Sequence, residues 1–247
     1  MKVCIIVIII STLFSFGTCQ APKKDPQPPL KRDSIYTIGE RSSDGIGKCY
    51  LGREISFVMG AEGAEWLERN NRQQEENTNL AIEKMALSPQ SVVADIGAGT
   101  GYYTFAIARK IPHGKVYAVE IQDELIKYLH KKKIATGINN VDIIKGTKLS
   151  PSLPTNSIDL AILVDVYHEL EFPHETLQAI KKSLKNDGEI LLLEYRAEDT
   201  SIAIKPHHKM TIMQANKEMS ANGFKLVFDG EFLPMQHFLL YKKDAKL

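Results

Sequence analysis

The sequence is short of cysteine. Of its 247 residues only Cys4, Cys19 and Cys49 are cysteines, too few for a disulfide framework, and Cys4 lies inside an apolar leader. With Cys49 alone in the main body, thiol chemistry is not expected. An excess of charge of either sign is also missing: 31 basic residues face 30 acidic ones, so nothing draws the whole chain toward nucleic acid or anionic lipid. Nucleic acid is accordingly not an expected partner. Long apolar stretches are limited to one, from Val3 to Phe16, which excludes a multi-span membrane protein. No internal repeat is visible. What remains is an ordinary composition, 43% hydrophobic and 25% charged, on a chain long enough to bury a full core without disulfides.

Lys2, the apolar run and the small residues Gly17, Thr18 and Cys19 together have the shape of a secretory signal. The run is about 14 residues long and as a helix would reach about 21 Å, short of the ~30 Å hydrocarbon core, so a span is the weaker reading. Residues 1–19 are therefore expected to be a signal peptide or a membrane anchor, and Cys19 could carry lipid as in a bacterial lipoprotein. Export, cleaved or lipidated, places the chain at the cell envelope. The alternative is an uncleaved anchor with the main domain in the cytoplasm, favoured by Lys23, Lys24, Lys31 and Arg32 outnumbering Lys2. Residues 20–34, rich in Pro and Lys, read as a tether.

From Ile35 to Leu87 the pattern is mixed, with turn chemistry at Ser42-Ser43-Asp44-Gly45 and an apolar patch from Ile55 to Met59. A helical pattern follows with Trp66 and Leu67, turns polar from Asn70 to Asn79, and resumes with Leu80, Ile82 and Met85 until Ser88-Pro89 stops it. This segment, 35–87, reads as an N-terminal helical lid, in which Tyr50, Arg53 and Trp66 either cover a ligand or only pack the extension. The remainder, 88–247, alternates regularly. Strands are expected at Val92 to Ile96, Val116 to Ile121, Val141 to Lys145, Ile158 to Val164, Glu189 to Tyr195, Phe224 to Phe228 and His237 to Tyr241, and helices at Tyr103 to Lys110, Asp123 to Lys133, Glu175 to Leu184 and Lys209 to Asn222. Alternation of this kind predicts an α/β fold: a Rossmann-like doubly wound sheet, mostly parallel, with helices on both faces. The loop between the last two strands is too short for a crossover helix, so the sheet ends in an antiparallel hairpin.

The first of these strands runs into Gly97-Ala98-Gly99-Thr100-Gly101, a turn that lets a ligand approach the backbone where a Cβ would collide. Its Gly-x-Gly-x-Gly spacing lacks the third glycine position of dinucleotide binders, which argues against NAD. The second strand ends in Glu120, a carboxylate placed to accept both hydroxyls of a ribose lying across the strand ends. Asp95 adds a second negative charge beside the loop. The expected ligand therefore carries a ribose and a positive charge.

With these residues in view, the chain from about 80 to 243 resembles the class I S-adenosylmethionine-dependent methyltransferases. The family's first motif matches Asp95 to Gly101, its ribose acid falls at Glu120, Lys185-Asn186-Asp187-Gly188-Glu189 matches its turn before the fifth strand, and its sheet has the same terminal hairpin. The resemblance implies S-adenosyl-L-methionine as cofactor, held by Asp95, Gly97, Gly99, Gly101, Glu120, Ile121, Thr147 and Asp165. Thr147 stands where the family commonly has an acid for the adenine amino group. The block from Asp44 to Arg69 resembles an extension of a poorly characterised bacterial subgroup.

The implied activity is methyl transfer to an oxygen, nitrogen or carbon nucleophile, on a small molecule rather than a protein, since nothing marks a peptide-binding surface. Two alternatives stay open: a protein carboxyl methyltransferase of the isoaspartate type, and a non-catalytic adenosyl-ligand-binding protein of the envelope. If a base is used, His168 or Glu169, just past the fourth strand at the ligand crevice, is the candidate; the plain alternative is that both only cap the turn that follows. His207 and His208 either close over the substrate or lie on a surface loop. No compact His-x-x-x-His or carboxylate spacing is present, so no metal site is expected.

Overall fold

The computed structural model describes residues 35–245, so the leader, Cys19 and the tether lie outside the described residues. The extension opens on a three-stranded antiparallel sheet, β1 (Tyr36–Ile38), β2 (Gly45–Tyr50) and β3 (Arg53–Ser56). Three short helices follow, α1 (Ala64–Leu67), α2 (Arg72–Glu76) and α3 (Thr78–Lys84). The lid is thus β before it is helical. Its strands are short and contain Gly45, Gly47, Lys48 and Arg53, so the period-two apolar signal that marks a strand is faint.

The main domain runs β4 (Val92–Ile96), α4 (Tyr102–Lys110), β5 (Lys115–Glu120), α5 (Asp123–Thr136), β6 (Val141–Lys145), β7 (Ile158–Val164), α6 (Pro173–Ser183), β8 (Leu184–Tyr195), α7 (Ile212–Ala221), β9 (Phe224–Gly230) and β10 (Gln236–Lys243). These form one seven-stranded sheet in the order β6-β5-β4-β7-β8-β10-β9. The first five are parallel, whereas β10 pairs antiparallel with both β8 and β9. The terminal hairpin and the Rossmann-like doubly wound sheet are as the sequence implies.

Each central strand buries both faces, which is why it reads as a near-continuous apolar run. On one face Val93, Leu160, Ile162, Leu191 and Leu193 pack with Phe105 and Ile107 of α4 and Ala81 and Ile82 of α3. On the other, Ala94, Ile96, Ala161, Leu163, Ile190 and Leu192 pack with Leu177 and Ile180 of α6 and Met219 of α7. The order reverses between β4 and β7, and the carboxyl ends of parallel strands splay apart at such a point, leaving a crevice. Gly97 follows one of these strands and Asp165 the other.

Candidate active site

A cavity of about 170 Å³ occupies that crevice. Its walls include Gly97 and Gly99 from the loop after β4, Glu120 and Ile121 from the end of β5, Thr147 after β6, and Asp165 and Glu169 after β7. Asp95 and Arg72 line a smaller recess continuous with the glycine loop. The extension closes the cavity with Val58, Met59, Trp66, Leu67 and Arg72. Of the three lid residues singled out in sequence, Trp66 is a wall; Tyr50 is buried under an Asn222 hydrogen bond, and Arg53 forms a two-pronged ion pair with the buried Glu218.

The glycine loop is left-handed at all three glycines, with φ of +72° at Gly97, +56° at Gly99 and +77° at Gly101. Side chains rarely adopt such angles. The N–H groups of Gly97 and Ala98 both donate to Val119 O at 2.9 Å, fastening the loop to β5. Gly101 is also required by packing: a Cβ there would meet Leu129 and Phe105 at 2.7 Å.

Glu120, 4% exposed, is more occupied than the sequence suggests. Its Oε2 accepts from Gly99 N–H at 2.9 Å, and its Oε1 accepts from the N–H groups of Ile121 at 2.7 Å and Gln122 at 3.0 Å. A carboxylate has about four acceptor positions, so one on Oε2 remains for a hydroxyl. The same side chain thus builds the loop and faces the cavity.

Asp165, the residue after β7, sits in the left-handed region with φ +51°. Oδ2 accepts from Gln236 Nε2 at 2.7 Å, while the buried Oδ1 has no hydrogen-bond partner. Burial, and then the charges of Glu76 and Glu194, hold its carboxyl well above the usual range. An acid so placed is stabilised as an anion by a cation in the cavity. Arg72, over the rings of Tyr102 and Tyr103 and paired with Glu76 at 2.8 Å, is a fixed positive charge in the wall and pulls the Asp165 carboxyl down. The sequence hides this residue: Arg72 and Glu76 stand in the polar stretch from Asn70 to Asn79, yet both are buried because each neutralises the other.

Asp95 accepts from Thr104 Oγ1 at 2.5 Å, tying the first turn of α4 to the strand. Burial pushes its carboxyl up to about 6, with a further push from Glu120 and opposing pulls from Thr104 and Arg72. Thr147 lines the cavity, but its Oγ1 accepts from Ser150 N–H at 3.0 Å and so closes its own turn.

At the far end Glu169 is a wall residue, and its Oε1 accepts from Met59 N–H at 3.1 Å. His168 is buried behind it at 1% exposure. His168 Nδ1 lies 2.5 Å from Glu194 Oε2, and its Nε2 lies 3.1 Å from His208 Nδ1. His208 comes from the turn Pro206–His208 and packs against His168 and Glu169, while His207 turns to Glu54.

With a glycine cradle, a strand-end carboxylate and an unpartnered acid at one switch point, comparison with known proteins decides the family. A family model described as a methyltransferase domain matches residues 87–238. The chain belongs to the class I S-adenosylmethionine-dependent methyltransferases. Among curated relatives, an uncharacterized methyltransferase-like protein of Schizosaccharomyces pombe is 27% identical over 123 residues, 50% of this chain and 45% of that protein. A tRNA U34 carboxymethyltransferase of Desulfotalea psychrophila is 33% identical over 104 residues, 41% of this chain and 31% of its own. The chain therefore spans less than half the length of these relatives. Among solved structures, a SAM-dependent methyltransferase from Aquifex aeolicus superposes with a TM-score of 0.70 at 20% identity, covering 74% of this chain and 98% of that one. The [4+2]-cyclase SpnF also shares the fold, with a TM-score of 0.59 at 16% identity over 79% of this chain and 88% of its own.

Proposed function

We propose that this chain binds S-adenosylmethionine in the crevice and transfers its methyl group to an oxygen, nitrogen or carbon nucleophile of a small molecule. The observation that carries the reading is the cavity itself, which runs from Glu120 past the unpartnered Asp165 Oδ1 to Glu169. Glu120 would hold a ribose hydroxyl, Ile121 an adenine face, and Asp165 the methionine ammonium, with Gly97 and Gly99 admitting the ligand to the backbone. Arg72 would balance the methionine carboxylate. Bound there, the sulfonium supplies an electrophilic methyl for in-line displacement. The chain's part is to align the acceptor, worth ~7–11 kcal/mol in good cases, and to receive one proton. Glu169 faces the acceptor's end of the cavity, with His168 positioned behind it.

Because the same fold serves a protein described as a cyclase, the fold alone does not fix the chemistry. Calorimetry with S-adenosylmethionine and S-adenosylhomocysteine, then an acceptor screen, tests the reading. Binding with S-adenosylhomocysteine accumulating beside some acceptor supports it; binding without turnover over the whole screen would favour an adenosyl-binding module. Asp165→Asn is expected to weaken cofactor binding at least about tenfold, since hydrogen bonds to a charged group contribute ~1.5–3 kcal/mol. Unchanged affinity would place the ammonium elsewhere.

The address is proposed to be the envelope, by export through residues 1–19. Protease shaving of intact cells with mass spectrometry of the mature amino terminus tests this: a protected domain starting at Met1 sinks export.

Asp95 yields a pH prediction. Its folded-state value, about 6, is raised above the ordinary 3.8, so between those values the folded chain binds more protons than the unfolded one. Its contribution to stability therefore falls as pH rises from about 4 to 6, and above 6 the ionised group costs about 3 kcal/mol. Asp95→Asn should raise Tm at pH 8 by at least about 4 °C, and much less at pH 4. Equal shifts at both pH values would mean that the carboxyl is not perturbed.

A further inference from the structure

Two neighbouring side chains, His168 and Glu169, and a third from 40 residues beyond His168, His208, converge beside the acceptor's end of the cavity. His168 Nε2 lies 3.1 Å from His208 Nδ1 and 3.9 Å from Glu169 Oε1, and His208 Nδ1 lies 3.5 Å from that oxygen. The point in their plane equidistant from these three atoms is about 2.05 Å from each, inside the 2.0–2.2 Å range of zinc bonds to imidazole nitrogen and carboxylate oxygen.

The outer contacts assign the ring hydrogens. Glu194 Oε2, 2.5 Å from His168 Nδ1, can only accept, so the hydrogen sits on Nδ1 and a lone pair on Nε2. On the second ring, Nε2 lies 3.1 Å from Asp44 Oδ2, a buried oxygen with no hydrogen bond of its own. A hydrogen on that Nε2 serves it and leaves a lone pair on Nδ1. Two imidazole nitrogens bearing lone pairs and a carboxylate oxygen then lie within 3.9 Å of one another. Such an arrangement repels itself unless a cation or a shared proton lies there.

We propose that His168 Nε2, His208 Nδ1 and Glu169 Oε1 bind a divalent transition-metal ion of the zinc class. Glu194 and Asp44 are the carboxylates that orient the two imidazoles, the arrangement that fixes tautomer and ring direction in histidine metal sites. Two nitrogens and one oxygen suit a borderline ion better than magnesium or calcium, which take oxygen ligands. Three protein ligands leave a coordination position, as in sites that act on a substrate. Glu169 is the ligand that also lines the cavity, so that position lies toward the acceptor; only this last placement rests on the function proposed above. No local spacing could reveal the set, because His208 comes from beyond β8 and meets the other two through the fold.

The test uses the tag-free full chain, stripped with a chelator and titrated with Zn²⁺ by calorimetry and with Co²⁺ by visible absorption. One ion per chain is expected. His208→Ala, on a partly exposed turn, and Glu169→Gln should each weaken Zn²⁺ binding at least about a hundredfold, and Glu194→Gln by about 10–100-fold. His207→Ala should bind as the wild type does, because its ring faces Glu54 and Ser42. Thermal melts check that the variants fold. The proposal is overturned if the stripped chain takes up no ion at micromolar Zn²⁺, or if binding survives both His208→Ala and Glu169→Gln. Cofactor binding is read separately: its failure would sink the methyltransferase reading and leave the metal site standing, and the converse also holds.

Discussion

Glu120→Ala is expected to raise the dissociation constant for S-adenosylmethionine at least about a hundredfold, because it removes a ligand contact and the fastening of the glycine loop at once. The side chain receives three backbone N–H groups, from Gly99, Ile121 and Gln122. Each hydrogen bond to a charged group contributes ~1.5–3 kcal/mol, so losing even one of these together with a ribose hydroxyl exceeds a factor of 100. The variant should still fold, since the sheet beneath is held by apolar packing on both faces. Glu120→Gln separates the two roles. Its amide oxygen can still accept from Ile121 and Gln122, while its NH₂ group meets the N–H of Gly99 and repels it. An intermediate loss is expected for Gln, and calorimetry on both variants reads it. Equal affinities for wild type and Glu120→Ala would remove the ribose assignment.

That double role also explains how far the site was legible. Glu120 could be picked out because a carboxylate at a strand end beside a glycine turn has few structural reasons to be there. Its backbone partners could not, since they depend on how the loop after β4 lies against β5. Asp165 was visible as the end of an apolar run, but its left-handed backbone and unpartnered Oδ1 were not. The central strands of the main sheet were readable because burial on both faces writes them as near-continuous apolar runs. The strands of the extension were missed for the opposite reason: β2 and β3 are short, glycine-containing and charged. Arg72 and Glu76 stand in a stretch that reads only as polar, and mutual neutralisation buries them. A polar stretch in sequence therefore does not distinguish water from a partner of opposite charge.

His168→Ala is expected to lower turnover by roughly 10² to 10⁴ while leaving cofactor affinity within about twofold. The split follows from position. His168 is buried behind Glu169 and does not line the cavity that Glu120 and the glycine loop wall, so the loss is expected at the acceptor step and not in binding of the adenosyl group. Through Nδ1 it is fixed by Glu194, and through Nε2 it faces His208 and Glu169. If the group acts through Glu169 as a proton acceptor, stripping metal from the wild type changes nothing and the pH profile of kcat carries the loss. If it acts as a metal ligand, the stripped wild type falls to the level of His168→Ala, and Zn²⁺ restores the first but not the second. A merely structural role predicts neither pattern: turnover would follow the folded fraction, and cofactor stoichiometry would drop with it. Single-turnover methyl transfer to the acceptor found in the screen, measured beside calorimetry on the same preparation, separates the three, and wild-type turnover by a folded His168→Ala chain would remove His168 from the transfer step.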